Sequence, residues 1–244
     1  MKILSIGNSF SQDAHRYLHL LGKADGVEIK TVNLLIGGCS LQTHYQNMLN
    51  DEANYWMEFN GQPTGFKVSI RQALTSDDWD YITLQQASAF SAKEESYFPY
   101  IEALAEYVRK YCPRAKVVLH QTWTYEEGGK QMTESDFDGA EEMLLKVHSA
   151  YEKAAHAIGA DGVIPCGEVV YGVWKKGVRM HRDGLHLALG VGRYAAALTW
   201  YAALTGNPID SNGFDDFEQP VSESERIAVI QTIKDVLTGR GIQQ

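Results

Sequence analysis

The stretch Lys2-Ile3-Leu4-Ser5-Ile6-Gly7-Asn8-Ser9-Phe10-Ser11 decides the fold of this chain. Its apolar first half is typical of a buried β-strand, and Gly-Asn-Ser just before a periodic segment is typical of a tight strand-to-helix turn. This pattern predicts that Ser9 lies at the tip of a parallel strand. Ligands bind outside that edge in open α/β sheets, so Ser9 is a candidate nucleophile if a base can reach it. The alternative is that Ser9 only caps the first helix, since Ser and Asn are preferred at that position.

Strand-like and helix-like segments alternate along the rest of the chain. This alternation predicts an α/β fold, with a parallel sheet covered by helices on both faces. The five predicted strands span about 2–6, 29–36, 79–84, 116–119 and 162–165, and the main helices about 12–24, 41–49, 94–111, 137–158, 189–204 and 222–237. The irregular segment 54–79 is interpreted as a small inserted hairpin followed by a short helix. Because no repeat or linker interrupts the pattern, one domain spanning 1–244 is expected.

Composition excludes several classes of partner. The net charge of −9 and the pI near 5.4 disfavour nucleic acid, since binding a phosphate backbone needs clustered Lys and Arg. Cys39, Cys112 and Cys166 form no CxxC pair, so reduced and mostly buried thiols are expected. No apolar run is long enough for a membrane span or a signal peptide, so the chain as written is expected to be cytoplasmic. A leader removed earlier would leave no trace here, and the sequence does not indicate an oligomeric state.

A second polar motif, Asp183-Gly184-Leu185-His186, lies in the last loop before a helix. A hydrolytic triad needs a nucleophile, a general base in contact with it, and a carboxylate that orients the base. Ser9, His186 and Asp183 can supply these three roles. The alternatives are that Asp183 caps the following helix and that His186 is an ordinary loop histidine.

Acyl transfer also needs N–H donors aimed at the developing oxyanion, each contributing about 2.7–4 kcal/mol to lowering the barrier. Gly38, in the turn after the second strand, can offer its backbone N–H, and Gln85 or Gln86, after the third strand, can offer a side-chain amide. The alternative for the glycine is a turn that requires positive φ.

These motifs resemble a known superfamily. Gly7-Asn8-Ser9-Phe10-Ser11 resembles the first block of the SGNH/GDSL hydrolases, Asn33 with Gly38 resembles their second block, and Asp183-x-x-His186 their last. GNSFS, GGCSL, WDYITLQQAS, HQTW and DGLHLALGVGRY are more closely similar to a domain-of-unknown-function (DUF4886-like) branch common in gut Bacteroidetes. The resemblance extends from Met1 to about Thr205.

The resemblance implies a flavodoxin-like three-layer fold and ester hydrolysis through a serine acyl-enzyme. It implies that Ser9 is the nucleophile, His186 the base and Asp183 its partner, and that the N–H groups of Ser9 and Gly38 are oxyanion donors. The third block departs from the family, because Gln85-Gln86-Ala87-Ser88 stands where an Asn is usual. Gln85 is favoured over Gln86 as the replacement donor, since it is the first polar residue past the strand.

Four further residues are possible substrate-lining groups: Asn8, His120, Trp123 and Tyr125. Asn8 replaces the usual Asp of the first block and is expected mainly to shape the turn. Core packing is an equal alternative for the two aromatic residues, and a buried, hydrogen-bonded ring is slightly favoured for His120. His15 with His19, and His181 with His186 and Asp183, are weak candidates for metal ligands, and no metal site is predicted.

The residues predict a hydrolytic serine site that needs no cofactor. The resemblance implies a serine esterase that removes a small acyl group, acetyl above all, from a carbohydrate or similar polar alcohol. The expected partner is therefore a small-molecule ester or an acylated saccharide. Three alternatives stay open: an inactive carbohydrate-binding module, a lipase- or thioesterase-type hydrolase, and a nucleotide or flavin binder. The last is disfavoured because neither a GxGxxG fingerprint nor a P-loop follows the first strand.

Overall fold

A computed structural model describes residues 1–242 of the chain. Within these residues the strands are β1 (Lys2–Gly7), β2 (Lys30–Leu35), β3 (Tyr55–Phe59), β4 (Gln62–Val68), β5 (Tyr81–Leu84), β6 (Lys116–His120) and β7 (Gly162–Ile164). The helices described are α1 (Ser9–Ala24), α2 (Leu41–Asn50), α3 (Ile70–Leu74), α4 (Tyr100–Tyr111), α5 (Lys130–Thr133), α6 (Ala140–Ile158), α7 (Cys166–Lys175), α8 (Val191–Thr205) and α9 (Glu223–Gly239).

Strand β1 lies in the middle of the sheet, between β2 and β5 and parallel to both. Leu4 and Ile6 pack into the apolar core on one face of the sheet, and Ile3 packs into the core on the other. A strand covered on both faces needs an apolar run rather than strict alternation, which explains the composition of β1.

The helices form one layer on each face of the sheet. Helices α1, α7, α8 and α9 enclose the core that contains Ile3, and α2, α3, α4 and α6 enclose the core that contains Leu4 and Ile6. The predicted three-layer α/β sandwich is therefore confirmed. Within residues 1–242, no helix has both the length and the apolar character that crossing a membrane requires.

The sheet has seven strands within the described residues, in the order β4-β3-β2-β1-β5-β6-β7, rather than the predicted five. The predicted hairpin exists as β3 and β4, joined by Asn60 and Gly61, which both have positive φ as a tight hairpin turn requires. Its first strand pairs antiparallel with β2, so the hairpin extends the sheet instead of forming a separate insertion. Hydrophobic pattern and turn residues predict a hairpin, but its docking on β2 is a long-range contact that they do not encode.

Some helix boundaries differ from the prediction. Helix α6 begins at Ala140 rather than at Phe137, because Gly139 precedes it with a φ of 89° that cannot continue a helix. Helix α9 begins with a capping box, in which Ser222 and Glu225 satisfy each other's backbone N–H groups.

The strand order reverses direction between β1 and β5. The chain moves from β1 to β2 on one side and returns to β5, β6 and β7 on the other. The loops after β1 and β5 therefore diverge and leave a crevice, which is where α/β proteins of this kind bind ligands. Ser9 follows β1 directly and so lies at this switch point.

Candidate active site

Asn8, and not Ser9, caps the first helix. Asn8 has an extended backbone, its Oδ1 accepts a hydrogen bond from the N–H of Phe10 at 3.0 Å, and its own N–H donates to Ser11 Oγ at 3.1 Å. This capping box satisfies the first turn of α1 without the side chain of Ser9. Ser9 is the first helical residue and is half-buried. The alternative that Ser9 serves only as the cap is thus excluded.

The structure brings the side chains of Ser9, His186 and Asp183 into one hydrogen-bonded series. Ser9 Oγ lies 3.0 Å from His186 Nε2, and His186 Nδ1 lies 2.8 Å from Asp183 Oδ2. With the proton on Nδ1, the imidazole donates to the carboxylate and Nε2 accepts from the serine hydroxyl. The His186 side chain is 25% exposed, so a small ester can reach it from solvent.

The loop itself holds the Asp183 carboxylate in place. Asp183 Oδ1 accepts hydrogen bonds from the backbone N–H groups of His186 at 2.6 Å and Leu185 at 3.0 Å. Partial burial alone raises the pKa of Asp183, but these bonds and the His186 imidazole outweigh it and lower the pKa to about 2. The carboxylate is therefore ionised at neutral pH. The nearest following helix begins only at Val191, so Asp183 does not cap it.

Trp123 packs against the turn that carries Ser9 and the loop that carries His186, and it does not line a cleft. It is fully buried, its indole stacks on Phe10 with ring centroids 4.0 Å apart, and its Nε1 donates to Leu185 O at 2.9 Å. The Phe10 ring also meets the edge of His186, with centroids 6.2 Å apart. Of the two alternatives for Trp123, the structure shows core packing, and the alternative of a cleft lining is corrected: its ring contacts both the turn that carries Ser9 and the loop that carries His186.

Two backbone N–H groups are predicted to be oxyanion donors, those of Ser9 and Gly38. In the turn from Ile36 to Cys39, Gly38 is exposed and has a φ of +63°, which is the conformational explanation of this glycine. Among residues 1–242, the N–H groups of Ser9 and Gly38 have no hydrogen-bond acceptor. Asn8 Nδ2 donates to Cys39 O at 3.2 Å and so ties the two turns together.

The two candidate glutamines lie in different surroundings. Gln86 Nε2 donates to both the carbonyl and the hydroxyl of Ser96, and its Oε1 accepts from the N–H groups of Leu41 and Ala87. Both Nε2 hydrogens of Gln86 are thus engaged in loop structure, which corrects its alternative role as oxyanion donor. Gln85 Nε2 donates one hydrogen to Asn8 Oδ1 at 2.6 Å, which leaves its second hydrogen for another acceptor.

Two other predicted lining residues are also buried. Asn8 is 2% exposed and His120 is 0% exposed. His120 Nδ1 pairs with Gln85 Oε1 at 2.9 Å, and burial, reinforced by the nearby His15, lowers the pKa of His120 to about 3. Asn8 therefore shapes the turn and His120 is a buried, hydrogen-bonded ring, as the favoured interpretations had it, and the alternative that they line a cleft is corrected. The neutral ring of His120 orients the Gln85 amide.

Tyr125 is partly exposed and lines a cavity of about 490 Å³. Gln131 lines the same cavity, and its Nε2 donates to Asp183 O at 3.5 Å. Gln131 therefore connects this cavity to the backbone of Asp183, and Tyr125 is the one predicted lining residue that contributes to its wall.

The histidines considered as metal ligands have other partners. His15 Nε2 pairs with Ser5 Oγ at 2.8 Å, His19 Nδ1 with Ile29 O at 2.7 Å, and His181 Nε2 with Thr124 O at 2.9 Å. Within residues 1–242, no three His, Cys, Asp or Glu side chains are grouped as metal ligands.

Asp13 is a site residue that the sequence analysis missed. It is fully buried, and it accepts hydrogen bonds from Arg182 Nη1 at 3.1 Å, Arg193 Nε at 2.8 Å and the N–H of Leu187 at 3.1 Å. Asp13 lies one helical turn after Ser9, while Arg182 and Leu187 flank the Asp183–His186 loop. Asp13 thus joins the helix that begins at Ser9 to the loop that carries His186. The sequence offered one signal for this role, an acidic residue four positions after Ser9. Its hydrogen-bond partners are distant in sequence and could not be predicted.

The doubly wound α/β fold, with the side chains of Ser9, His186 and Asp183 in series at its switch point, is similar to that of SGNH/GDSL-like proteins. The chain belongs to the family described as domain of unknown function DUF4886, which matches residues 2–232. The predicted resemblance is thus confirmed. A DUF4886 protein from Bacteroides uniformis is 33% identical, with a TM-score of 0.91 over 100% of this chain and 97% of that protein.

More distant structures share the fold. A proposed SGNH hydrolase from Slackia heliotrinireducens is 22% identical, with a TM-score of 0.61 over 84% of this chain and 98% of its own. An acetyl xylan esterase is 15% identical, with a TM-score of 0.55 over 83% of this chain and 99% of its own. The comparison with curated proteins finds no match.

Proposed function

We propose that this protein is a serine esterase that removes small acyl groups, acetyl above all, from carbohydrates or similar polar alcohols. One observation carries this proposal: the hydrogen-bonded series from Ser9 through His186 to Asp183. The fold likeness to an acetyl xylan esterase supports the acetyl group and the carbohydrate. Because one fold hosts many functions, the likeness supports the proposal only together with the site.

In the first half of the proposed reaction, Ser9 Oγ attacks the ester carbonyl while His186 Nε2 takes its proton. The Asp183 carboxylate stabilises the imidazolium that forms. The negative charge on the carbonyl oxygen meets the N–H groups of Ser9 and Gly38, with the remaining N–H of Gln85 as third donor. His186 then returns the proton to the leaving alkoxide, and the acyl group stays on Ser9.

In the second half, a water molecule replaces the alcohol. His186 accepts a proton from this water as it attacks the acyl carbonyl, and the same N–H groups stabilise the second oxyanion. The proton then passes from His186 to Ser9 Oγ as the carboxylic acid leaves. The protein's own residues supply every group that these steps use.

A polar alcohol fits the cavity beside Asp183 better than a long aliphatic chain does. Its wall includes the charged side chains of Lys93, Glu134 and Lys146. Burying such groups against hydrocarbon without a partner is unfavourable. This wall supports a small acyl group and a hydroxylated alcohol over the lipase- and thioesterase-type alternatives.

Gln85→Ala is expected to lower kcat for p-nitrophenyl acetate by about 10²-fold with little change in KM, as for the loss of one oxyanion donor. The matched control is Gln86→Ala, whose Nε2 hydrogens are both engaged by Ser96. This control is expected to lower thermal stability while leaving kcat nearly unchanged. A fall in kcat for Gln86→Ala alone would identify Gln86 as the donor instead.

A fluorophosphonate reagent tests the proposed function directly. Such a reagent phosphonylates an activated serine hydroxyl, so a single adduct on Ser9 is expected by peptide mapping and mass spectrometry. Acid-denatured protein is the control and is expected to remain unlabelled, because the reactivity depends on contact with His186.

Two outcomes of this labelling would contradict a serine esterase. One is a native protein without an adduct, and the other is an adduct confined to a serine other than Ser9. An unlabelled protein that nevertheless binds a saccharide would support the alternative of an inactive carbohydrate-binding module.

A further inference from the structure

A second cavity, of about 580 Å³, lies between helix α1 and the β3–β4 hairpin. Gln12 and Arg16 line it from α1, and Trp56 and Glu58 line it from β3. Its volume is within the range of small-molecule sites in proteins. The hairpin that forms one wall is the segment that extends the parallel sheet beyond β2.

One wall of this cavity is formed by α1, the helix that begins at Ser9. Gln12 and Arg16 follow Ser9 by three and seven positions, so they continue the face of α1 on which Ser9 lies, at a pitch of about 5.4 Å per turn. Leu35, which also lines the cavity, is the cross-strand neighbour of Gly7. A ligand in the cavity can therefore extend along α1 to the Ser9 hydroxyl.

The charges that line the cavity are balanced. Arg16 pairs with Glu218 at 2.7 Å, and Arg193 pairs with Glu218 and with the buried Asp13. The Glu58 carboxylate, 3% exposed, accepts hydrogen bonds from the side-chain amides of Gln12 and Asn33. The guanidinium groups donate hydrogen bonds and the carboxylates accept them, and the charges of the two arginines and two glutamates that line the cavity cancel. Such a lining favours an uncharged ligand with several hydroxyl groups over a phosphate or a fatty acid.

The cavity is also lined by the exposed indole of Trp56. Trp56 is 50% exposed, and Lys67 Nζ lies over its ring at 4.7 Å from the centroid. A large flat apolar surface beside hydrogen-bonding groups matches a pyranose ring, which has an apolar C–H face and a rim of hydroxyl groups. The buried Trp123 has no such exposed surface.

We infer that this cavity is a saccharide subsite, in which a sugar packs on Trp56 and hydrogen-bonds to Glu58 and Arg16 while its acyl ester reaches Ser9. This inference rests on the proposed function, which supplies the ester hydrolysis at Ser9. What it adds is the site that selects the alcohol part of the substrate. The β3–β4 hairpin is then the element that determines substrate specificity.

The test compares Trp56→Ala with Phe66→Ala on two substrates. Phe66 is on the same hairpin and is 67% exposed, but it does not line the cavity. Trp56→Ala is expected to raise KM for acetylated xylo-oligosaccharides by about tenfold. Phe66→Ala is expected to match the unmodified protein on both substrates, and the change in KM caused by Trp56→Ala is expected to be much smaller for p-nitrophenyl acetate, which has no sugar.

Calorimetry with the Ser9→Ala protein separates the subsite from the esterase. Acetylated xylo-oligosaccharides are expected to bind Ser9→Ala, and about tenfold more weakly when Trp56→Ala is added. Binding of this kind without hydrolysis by the unmodified protein would support the subsite and overturn the proposed esterase. Unchanged KM and unchanged binding in the Trp56→Ala proteins would overturn the subsite, whatever the rate with p-nitrophenyl acetate.

Discussion

Replacing Ser9 by alanine is expected to lower kcat for p-nitrophenyl acetate by about 10⁶-fold, because the substitution removes the nucleophile and leaves only binding and the oxyanion donors. The fold is expected to remain, since Asn8 caps α1 and, among residues 1–242, the Ser9 hydroxyl hydrogen-bonds to His186 alone. Steady-state kinetics give the activity, and thermal unfolding of the two proteins checks their stability.

Ser11→Ala is the matched control for this substitution. Ser11 is on the same turn, but its hydroxyl is buried, closes the capping box with Asn8 and donates to Asn33 Oδ1 at 2.7 Å. Its loss is expected to destabilise the protein by about 1 kcal/mol while kcat changes little. Equal rates for Ser9→Ala and the unmodified protein would end the serine-esterase proposal. An equally inactive Ser11→Ala would show instead that disruption of the turn explains the loss.

The parts of the fold that sequence predicted are those with local causes. The apolar run of β1, the Gly-Asn-Ser turn after it and the periodic segment of α1 each depend on neighbouring residues. The docking of the β3–β4 hairpin depends instead on the free edge of β2, and Val32 and Phe59 pair across a separation that no local pattern reveals. The observed number of strands therefore differs from the predicted five, whereas the class of fold agrees with the prediction.

The roles of buried polar residues could not be predicted in the same way. Asn8, Gln85 and His120 form one hydrogen-bonded chain beneath the nucleophile, with links of 2.6 Å and 2.9 Å. Each residue alone is compatible with a cleft wall, a turn or a core position. Which of these positions each residue takes depends on how the ends of β1, β5 and β6 lie together in the sheet. That arrangement determines which buried polar groups find a hydrogen-bond partner.

Trp123 illustrates the same limit for aromatic residues. Its position after β6 is compatible with a cleft wall, whereas the structure buries it between Phe10 and the carbonyl of Leu185. Trp56, in a segment whose pattern is irregular, is the exposed indole near Ser9. Sequence predicts which residues are large and apolar, but their exposure depends on which loops cover them.

Asp13→Ala is expected to lower the free energy of unfolding by about 3–5 kcal/mol, because it leaves two guanidinium groups without their buried counter-ion. Arg193 is 11% exposed in its side chain and Arg182 is 29% exposed, so water compensates only in part. Urea-induced unfolding measures this change. The control is Asp210→Ala, which removes an exposed ion pair with Lys234 at 2.9 Å and is expected to cost at most about 1 kcal/mol.

Asp13 also positions the triad, and this role has its own expected result. The carboxylate accepts from the N–H of Leu187, which directly follows the general base, so its loss releases the loop from α1. Well below the unfolding temperature, Asp13→Ala is therefore expected to lower kcat by about tenfold or more, with KM for p-nitrophenyl acetate nearly unchanged. A destabilised protein with full kcat would show that Asp13 holds the fold together but not the distance between Ser9 and His186. A change in KM alone would show that Asp13 affects substrate binding instead. That effect would act through Arg193, which lines the cavity between α1 and the β3–β4 hairpin.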